Sequence, residues 1–192
     1  MSSAVRLQFR ARFFANMNKT TFFAVVALSF GLVTGQAADR VIFEDSNFSK
    51  EGWSGFAEIP GTSGWEIRSR DLGDLSQAVV QEVTVEASGG IFLSTGPGSY
   101  ASVFRSEGVV YAIRSRDGER AAIGQADADG TVSLRLGFDG AFLIYEYHVS
   151  GGWNRLGKSD IIGVVQYTGG ISTPDRASDM SGYRIVELES LK

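Results

Sequence analysis

The sequence predicts an all-β fold, a sandwich of two antiparallel sheets, and three observations support this prediction. From Asp39 onward, short runs of β-branched and aromatic residues are separated by turns that contain glycine. No stretch of this region has helical periodicity of any length. The turns recur at the regular spacing that is typical of sandwiches and barrels, and the length suits one domain with a buried core.

The expected strands follow one another along the whole of this region. In chain order they are Arg40–Phe43, Trp53–Ile59, Trp65–Arg68, Ala78–Glu86, Ile91–Thr95, Tyr100–Arg105, Val109–Arg116, Ala121–Gln125, Thr131–Phe138, Ala141–Val149, Ile161–Tyr167 and Tyr183–Leu191. Turn chemistry lies between them at Pro60-Gly61, Ser88-Gly89-Gly90, Pro97-Gly98, Asp117-Gly118, Asp129-Gly130, Asp139-Gly140 and Gly151-Gly152. The polar stretch from Thr168 to Gly182 is expected to be one long loop.

The hairpin at Asp139-Gly140 allows a prediction of register. A two-residue type I′ turn there places Phe138 opposite Ala141 and Arg135 opposite Ile144. Strand alternation then gives an apolar core face made by Leu134, Leu136, Leu143 and Tyr145. It also gives an outward, surface-exposed face with Arg135, Phe142, Glu146 and His148. In the strand Val109–Arg116, the expected inward residues are Val109, Tyr111 and Ile113, and Arg114 is expected to point outward.

Residues 1–37 read as an export signal, with Met17 as the preferred start. Lys19 gives a short positive region, Phe22 to Val33 is an apolar run, and Gly35-Gln36-Ala37 supplies the small residues that a signal peptidase recognises. The run is too short to span a bilayer comfortably. We therefore expect a secreted or periplasmic protein whose single domain covers residues 38–192 and which has no membrane partner after cleavage.

Composition excludes several classes of partner and site. The expected export signal carries four of the basic residues and no acid, so the remaining chain is clearly acidic. An acidic protein is a poor partner for nucleic acid or for an anionic membrane. The chain has no cysteine, so no disulfide holds it together, and its single histidine cannot form a zinc site. It also has no nucleophile elbow and no phosphate-binding glycine motif.

The segment from Ser133 to Gly157 carries a family resemblance. Arg135, Asp139-Gly140, Phe142, Tyr145, Trp153 and Leu156-Gly157 are similar in type and spacing to a strand–turn–strand of concanavalin A-like lectin/glucanase jelly-roll domains of bacterial secreted proteins. The opening from Phe43 to Trp53 and the closing strand resemble those of the same domains. The resemblance implies two antiparallel sheets in a curved sandwich. It does not imply one function, because such domains include lectins, hydrolases, lyases and adaptors.

The same resemblance suggests where catalytic carboxylates would lie. Glucanases of this class carry a nucleophile and an acid on one strand of the concave sheet, commonly with an aspartate between them. Glu82 and Glu86 share a strand face here, but Thr84 occupies the middle position. Glu146 is a further candidate, and His148 could act as a base. The alternative is that these residues belong to an ordinary solvated strand face.

The candidate ligand-binding residues are polar and aromatic side chains of the outward face, together with one tryptophan near a turn. They are Arg135, Phe142, Glu146, His148, Arg114 and Trp65. Indole rings provide apolar platforms for sugar rings while nearby polar groups bond the hydroxyls. Trp53, Trp65 and Trp153 are the possible platforms, and Trp65, which follows Gly64, is expected to be the most exposed. Each of the three could equally belong to the core.

No cofactor is expected, although a structural calcium ion is possible. Asp127 and Asp129 have the spacing of calcium-loop ligands, but the other ligands of such a loop are missing. The family resemblance implies a calcium near the first and last strands, which points to Glu44 or Asp45. Plain turns explain both places as well.

Three functions remain open from the sequence. The first is a secreted, non-catalytic glycan-binding or adaptor domain that uses the outward face. The second is a small glycoside hydrolase or polysaccharide lyase that uses Glu82, Glu86 or Glu146. The third is a structural envelope protein without a small ligand. The first is preferred because no paired catalytic motif is recognisable.

Overall fold

The computed structural model describes residues 39–55, 65–73, 78–162, 167–174 and 179–188, and almost all regular structure in them is β. In chain order the strands are β1 Arg40–Asp45, β2 Ser54–Gly55, β3 Glu66–Gly73, β4 Val79–Val85, β5 Gly89–Gly96, β6 Ser99–Ser106, β7 Val109–Arg116, β8 Glu119–Asp127, β9 Val132–Phe138, β10 Leu143–His148, β11 Asn154–Ser159, β12 Tyr167–Thr173 and β13 Met180–Glu187. No helix in these ranges is long and apolar enough to cross a membrane.

The strands form two antiparallel sheets. The six-stranded sheet has the order β1-β13-β4-β9-β10-β11, and the seven-stranded sheet has the order β2-β3-β12-β5-β6-β7-β8. Every pairing between neighbours is antiparallel. The prediction of an all-β, two-sheet antiparallel sandwich is therefore confirmed.

The main core lies between the two sheets. Val83, Leu134 and Leu136 of the six-stranded sheet belong to the same buried cluster as Ile91 and Val103 of the seven-stranded sheet. All five side chains are almost completely removed from water. Burial of this apolar surface is the main driving force that holds the sheets face to face.

The inward and outward faces of β9 and β10 are as predicted, but their register is not. Phe138 pairs with Leu143, so residues 139–142 form a four-residue connection rather than a type I′ turn. Asp139 closes this connection by accepting hydrogen bonds from the amides of Ala141 and Phe142 at 3.0 and 2.8 Å. The slip is two residues, and an even slip leaves every side chain on its predicted face.

The expectation for β7 is wrong, because its inward residues are the other set. Val110 and Ala112 are fully buried in the main core. Tyr111 and Ile113 lie on the opposite face, where Tyr111 stacks on Phe104 of β6 at a centroid distance of 5.3 Å. Both rows of this strand contain apolar residues, so alternation alone could not choose the core row.

The long loop expected before the last strand is also wrong in part. β12 lies within it, in the middle of the seven-stranded sheet between β3 and β5. Its glycines are required by close packing: a Cβ at Gly170 would lie 2.0 Å from the carbonyl oxygen of Arg68. Glycine here marks a close approach of two backbones and not a turn.

Two further strand assignments differ from the expectation. The polar edge strand β11 was not predicted, because its sequence contains two basic residues and a glycine. Ile161 and Ile162 were predicted to be in a strand but lie outside one, while residues 163–166 are outside the described ranges. Of the expected strand Trp53–Ile59, only β2 is described, since residues 56–64 are outside these ranges.

Candidate functional site

Six charged side chains form one row across the outer face of the six-stranded sheet, with one residue from each strand. In sheet order they are Glu44, Arg184, Glu82, Arg135, Glu146 and Arg155, and each is the direct register partner of the next. Their signs alternate along the whole row. We call these six residues the charged rung. Direct cross-strand neighbours of opposite charge attract each other, so the row is favourable along its length.

The centre of the rung is a buried ionic network. Oε1 of Glu82 accepts hydrogen bonds from Nε and Nη2 of Arg135 at 2.7 and 2.5 Å. Oε2 of Glu82 accepts a hydrogen bond from Nε of Arg184 at 2.5 Å. Glu82 is only 3% exposed. Its two carboxylate oxygens are therefore both occupied by guanidinium groups, which offsets the cost of burying the charge.

Glu146 repeats this arrangement on the other side of Arg135. Its Oε1 accepts hydrogen bonds from Nε and Nη2 of Arg155 at 3.0 and 2.8 Å. Its Oε2 lies 3.7 Å from Nη1 of Arg135. The expectation that Arg135 and Glu146 are exposed surface residues is wrong, because both are held in the rung and Glu146 is 7% exposed.

The two arginines near the ends of the rung reach solvent. The side chains of Arg184 and Arg155 are 46% and 49% exposed, whereas that of Arg135 is 11% exposed. Glu44, at the outer end, is exposed and forms no ion pair with any other described residue. The rung thus has a structural centre and ends that remain accessible to a ligand.

Trp153 covers the centre of the rung. The guanidinium carbon of Arg135 lies 4.1 Å from the centroid of the Trp153 ring, a cation–π contact. The ring of His148 lies 5.7 Å from that of Trp153 at an angle of 55°. Trp153 is half-buried. Arg135 and His148 contact the indole and fix its orientation, while part of its surface stays exposed to solvent. This fixed indole is what a platform for an apolar ring face requires.

A pocket of about 260 Å³ opens beside this indole. The lining residues provide hydroxyl, carboxylate and guanidinium groups together with the indole, and they are Glu44, Glu82, Val83, Thr84, Ser133, Trp153, Gly182 and Arg184. The hydroxyls of Thr84 and Ser133 lie 3.3 Å apart. The pocket therefore offers hydrogen-bond donors and acceptors next to an apolar ring, the combination that small polar ligands require.

The arrangement of the carboxylates does not favour hydrolysis. Glu82 and Glu146 lie two strands apart, about 9.5 Å by strand spacing, which is near the upper limit for an inverting glycosidase. Arg135 lies between them, however, where water and the glycosidic bond would have to be. Glu86 follows the end of β4 and is separated from Glu82 by about 13 Å of extended chain. Neither of these two pairs is therefore arranged to act on opposite sides of a sugar bond.

The remaining predicted site residues lie away from this pocket. Phe142 lies in the connection before β10, where Nζ of Lys158 is 4.3 Å from the centroid of its ring. Trp65 precedes β3 of the other sheet and packs edge-on against Phe104 at a centroid distance of 5.7 Å; it is half-buried, as are Trp53 and Trp153. Arg114 lies on β7 of that same sheet, in the same alternating row as the buried Val110 and Ala112, so the expectation that it points outward is wrong.

The candidate calcium ligands are engaged in other contacts or stand alone. Asp45 is buried and accepts hydrogen bonds from the Trp53 indole at 2.9 Å and from the amides of Ser49 and Lys50 at 3.1 and 2.8 Å. Burial acts to raise the pKa of Asp45, but these hydrogen bonds outweigh it and lower the pKa below its usual value. In the described part of the chain, no group of three or more acidic or histidine side chains could hold a metal ion.

The sequence did not identify Arg184 and Arg155 as site residues, and it indicated Glu44 only as a candidate calcium ligand. Glu44 and Arg184 pair with strands that are distant in the sequence, whereas Arg155 faces Glu146 across a bulged hairpin whose second strand was not predicted. One signal was present: each carries a charge on a strand face where a polar row would be continued. That signal becomes useful only when the register between strands is known.

Comparison with known proteins identifies similar folds but no similar sequences. The sequence matches no protein-family model and no curated protein. The xyloglucan PUL protein GH43B of Bacteroides ovatus has a TM-score of 0.50 and 11% identity over 77% of this chain and 39% of that chain. The GH43 BlXynB protein of Bacillus licheniformis has a TM-score of 0.45 and 13% identity, over 68% and 36% of the two chains. The carbohydrate binding module CBM66 of Bacillus subtilis has a TM-score of 0.45 and 10% identity, over 70% and 93%.

These comparisons concern the fold. The chain spans 36–39% of the length of the two GH43 proteins, so it corresponds to a part of each. At 10–13% identity the chemistry of those proteins does not transfer to particular residues here. The likeness to the Bacteroides ovatus protein, with a TM-score of 0.50, concerns the fold alone.

Proposed function

We propose that residues 38–192 form a non-catalytic glycan-binding domain of the concanavalin A-like type, with its binding site at the Trp153 pocket. In this proposal a sugar ring stacks on the open surface of Trp153. Its hydroxyls bond to Glu44 and Arg184 at the accessible part of the rung and to Thr84 and Ser133. The fold neighbours, which include a carbohydrate binding module, agree with this proposal at the level of architecture.

The observation that carries the proposal is the fixed orientation of Trp153. An indole that is already stacked on Arg135 loses little conformational freedom when a ligand binds, and preorganisation of this kind increases affinity. The neighbouring groups supply both donors and acceptors, as a polyhydroxylated ligand requires. The engagement of Glu82 and Glu146 by arginines favours binding over hydrolysis.

The proposal is tested by retention of the protein on a panel of soluble polysaccharides, using affinity electrophoresis followed by calorimetry. Trp153→Ala is compared with Trp65→Ala, which removes an equally half-buried indole from the other sheet. We expect the first variant to lose at least about tenfold in affinity, or about 1.4 kcal/mol, and the second to bind normally. Equal losses in both variants would reject the Trp153 pocket as the site.

A reducing-sugar assay on the retained polysaccharides examines the hydrolase alternative. We expect no release of reducing ends by the unmodified protein. Release that disappears in Glu82→Gln or Glu146→Gln, in samples that remain folded, would replace the binding proposal by an enzymatic one. Failure of the unmodified protein to retain any glycan would favour the structural envelope alternative.

We also propose that the protein is exported and then cleaved after Ala37 or Ala38. The support is the sequence of the expected signal, in which small residues follow an apolar run. N-terminal sequencing of the protein recovered outside the cytoplasm should give Ala38 or Asp39. A mature protein that begins at Met1 or Met17 would contradict this.

A further inference from the structure

A second pocket, of about 470 Å³, lies at the end of the β7–β8 hairpin on the seven-stranded sheet. It is lined by Arg114, Arg116, Asp117, Glu119, Arg120 and Ala121. None of these residues belongs to the charged rung or lines the Trp153 pocket. The pocket therefore needs an explanation that is independent of the proposed glycan site.

The walls of this pocket are held in place by an ordered turn. Asp117 and Gly118 have φ values of 54° and 88°, and Arg116 pairs with Glu119, which together describe a two-residue type I′ turn. The amide of Gly118 donates to the carbonyl of Gly98 in the neighbouring turn at 3.0 Å. The hydroxyl of Ser115 donates to the same carbonyl at 2.7 Å. These two hydrogen bonds connect the ends of adjacent hairpins, so the arginines extend from an ordered backbone.

The arginines of the pocket have few close ion-pair partners. Arg114 and Arg120 form no ion pair with any residue that the structure describes, and Arg116 has only a long contact of 3.9 Å with the exposed Asp117. Nε of Arg114 is buried and has no hydrogen-bond partner. A buried donor without an acceptor is unfavourable, so a bound acceptor at this position would remove a cost that the free protein carries.

Arg114 also lies close to the core. Burial raises the pKa of Tyr145 to about 12, and the charge of Arg114 acts on this hydroxyl in the opposite direction. By strand alternation Arg114 and Arg116 lie on one face of the hairpin, whereas Arg120, which pairs with Ser115, lies on the other face, and all three line the pocket. This geometry places cationic groups on different sides of one small volume.

We propose that this pocket binds a singly charged oxyanion group, such as the carboxylate of a sugar acid or a sulfate ester. Guanidinium groups are well suited to bind planar or tetrahedral oxyanions through paired hydrogen bonds. Asp117 and Glu119 leave the lining with only a small positive excess. That balance favours a monoanion over a phosphate monoester, which carries close to two charges at neutral pH.

The probes are acetate, sodium glucuronate, sodium methyl sulfate and glucose, added to the isotope-labelled full-length protein at constant ionic strength. Amide chemical shifts of residues 114–121 are followed by NMR. We expect the three anions to shift these amides in a saturable manner and glucose to leave them unchanged. Tighter binding of glucuronate than of acetate identifies an acidic glycan as the source of the oxyanion, and equal binding identifies a free anion. Absence of saturable shifts with every anion would overturn the proposal.

Matched variants make the result specific. Arg120→Gln removes a charge from the pocket lining, whereas the control Arg40→Gln removes a 73% exposed arginine from β1 of the other sheet. We expect about tenfold weaker anion binding in the first variant and no change in the second. Glu119→Gln should instead bind the anions more tightly, because it removes a competing carboxylate. Equal effects of Arg120→Gln and Arg40→Gln would show that the anions respond only to the overall charge of the protein, and would reject the site.

The proposals for the Trp153 pocket and for this pocket can be rejected independently of each other. Trp153→Ala should leave anion binding at residues 114–121 unchanged, and Arg120→Gln should leave binding of neutral glycans unchanged. Loss of both activities in either variant would contradict the separation of the two sites.

Discussion

Both faces of the β9–β10 pair contain buried side chains, but different forces bury them. The inner row consists of Leu134, Leu136, Leu143 and Tyr145, all fully buried in the core between the sheets. The outer row at the same level contains Arg135 and Glu146, which are removed from water by ion pairing and by Trp153. Alternation along a strand therefore predicts which face a side chain is on, but not whether that face is exposed.

The outer row itself differs between its centre and its ends. The central charges are paired on both sides, and removal of one leaves its partners buried without compensation. The accessible charges at Glu44, Arg184 and Arg155 keep contact with water, so the same chemistry contributes little to stability there. We infer that the centre of the rung sets the register of the sheet and the ends remain available for ligands.

The largest effect is expected at the centre of the rung. Glu82→Gln should destabilise the protein by about 3–5 kcal/mol, because Arg135 and Arg184 lose their shared carboxylate. The control is Glu44→Gln, at the exposed end of the same row, which should change stability by no more than about 0.5 kcal/mol. Urea denaturation measures both. Similar small changes in the two variants would mean that the centre and the end of the rung are equivalent.

A comparable loss is expected on the inner row. Leu134→Ala should cost about 2–5 kcal/mol through lost burial and a residual cavity. Val149→Ala, at an exposed apolar position just after β10, is the control and should cost less than about 0.5 kcal/mol. Thermal or chemical denaturation compares them. If Leu134→Ala proved as mild as the control, the assignment of the inner row to the core would be wrong.

A smaller effect is expected in the connection between these two strands. Gly140 has a φ of 98°, and an added Cβ would meet no atom within 4 Å, so only backbone strain opposes substitution. Gly140→Val should therefore destabilise the protein by about 1–3 kcal/mol. The exposed neighbour provides the control Ala141→Val. An unchanged melting temperature in Gly140→Val would show that this residue does not need a positive φ.

The smallest effect concerns pH and lies outside the rung. Because hydrogen bonds from Trp53 and backbone amides lower the pKa of Asp45 despite its burial, the ionised carboxylate stabilises the folded state. This contribution is fully present above the ordinary value of 3.8 and is lost as the pH falls through the lower value of the folded protein. Melting temperatures measured during acidification should therefore fall less steeply in Asp45→Asn than in the unmodified protein. Parallel curves would contradict the role of Asp45.

The sequence predicts the fold class, most strands and both faces of the β9–β10 hairpin, because these follow from local alternation and turn residues. It does not predict β12, whose glycines reflect contact with Arg68 and not a turn. It also misplaces the register of one hairpin. The same Asp-Gly dipeptide forms a two-residue turn at Asp117 and part of a four-residue connection at Asp139, so the dipeptide alone does not fix loop length.

That single register difference explains why the site was only partly predicted. A two-residue turn pairs Arg135 with Ile144, whereas the observed connection pairs Arg135 with Glu146. The other partner of Arg135, Glu82, lies on β4, far away in the sequence. The charged rung depends on these pairings between distant segments. Strand patterns indicate which residues can belong to the rung, but they do not show which of these residues pair with each other.

The most direct test of the proposed function is an NMR titration that observes the tryptophan indoles. The chain contains three tryptophans, so three indole N–H signals are expected, and Trp153→Phe assigns one of them. Addition of a glycan that the protein retains should shift the Trp153 signal in a saturable manner and leave those of Trp53 and Trp65 in place. A shift of the Trp65 signal with no change at Trp153 would contradict the account and move the binding site to the seven-stranded sheet.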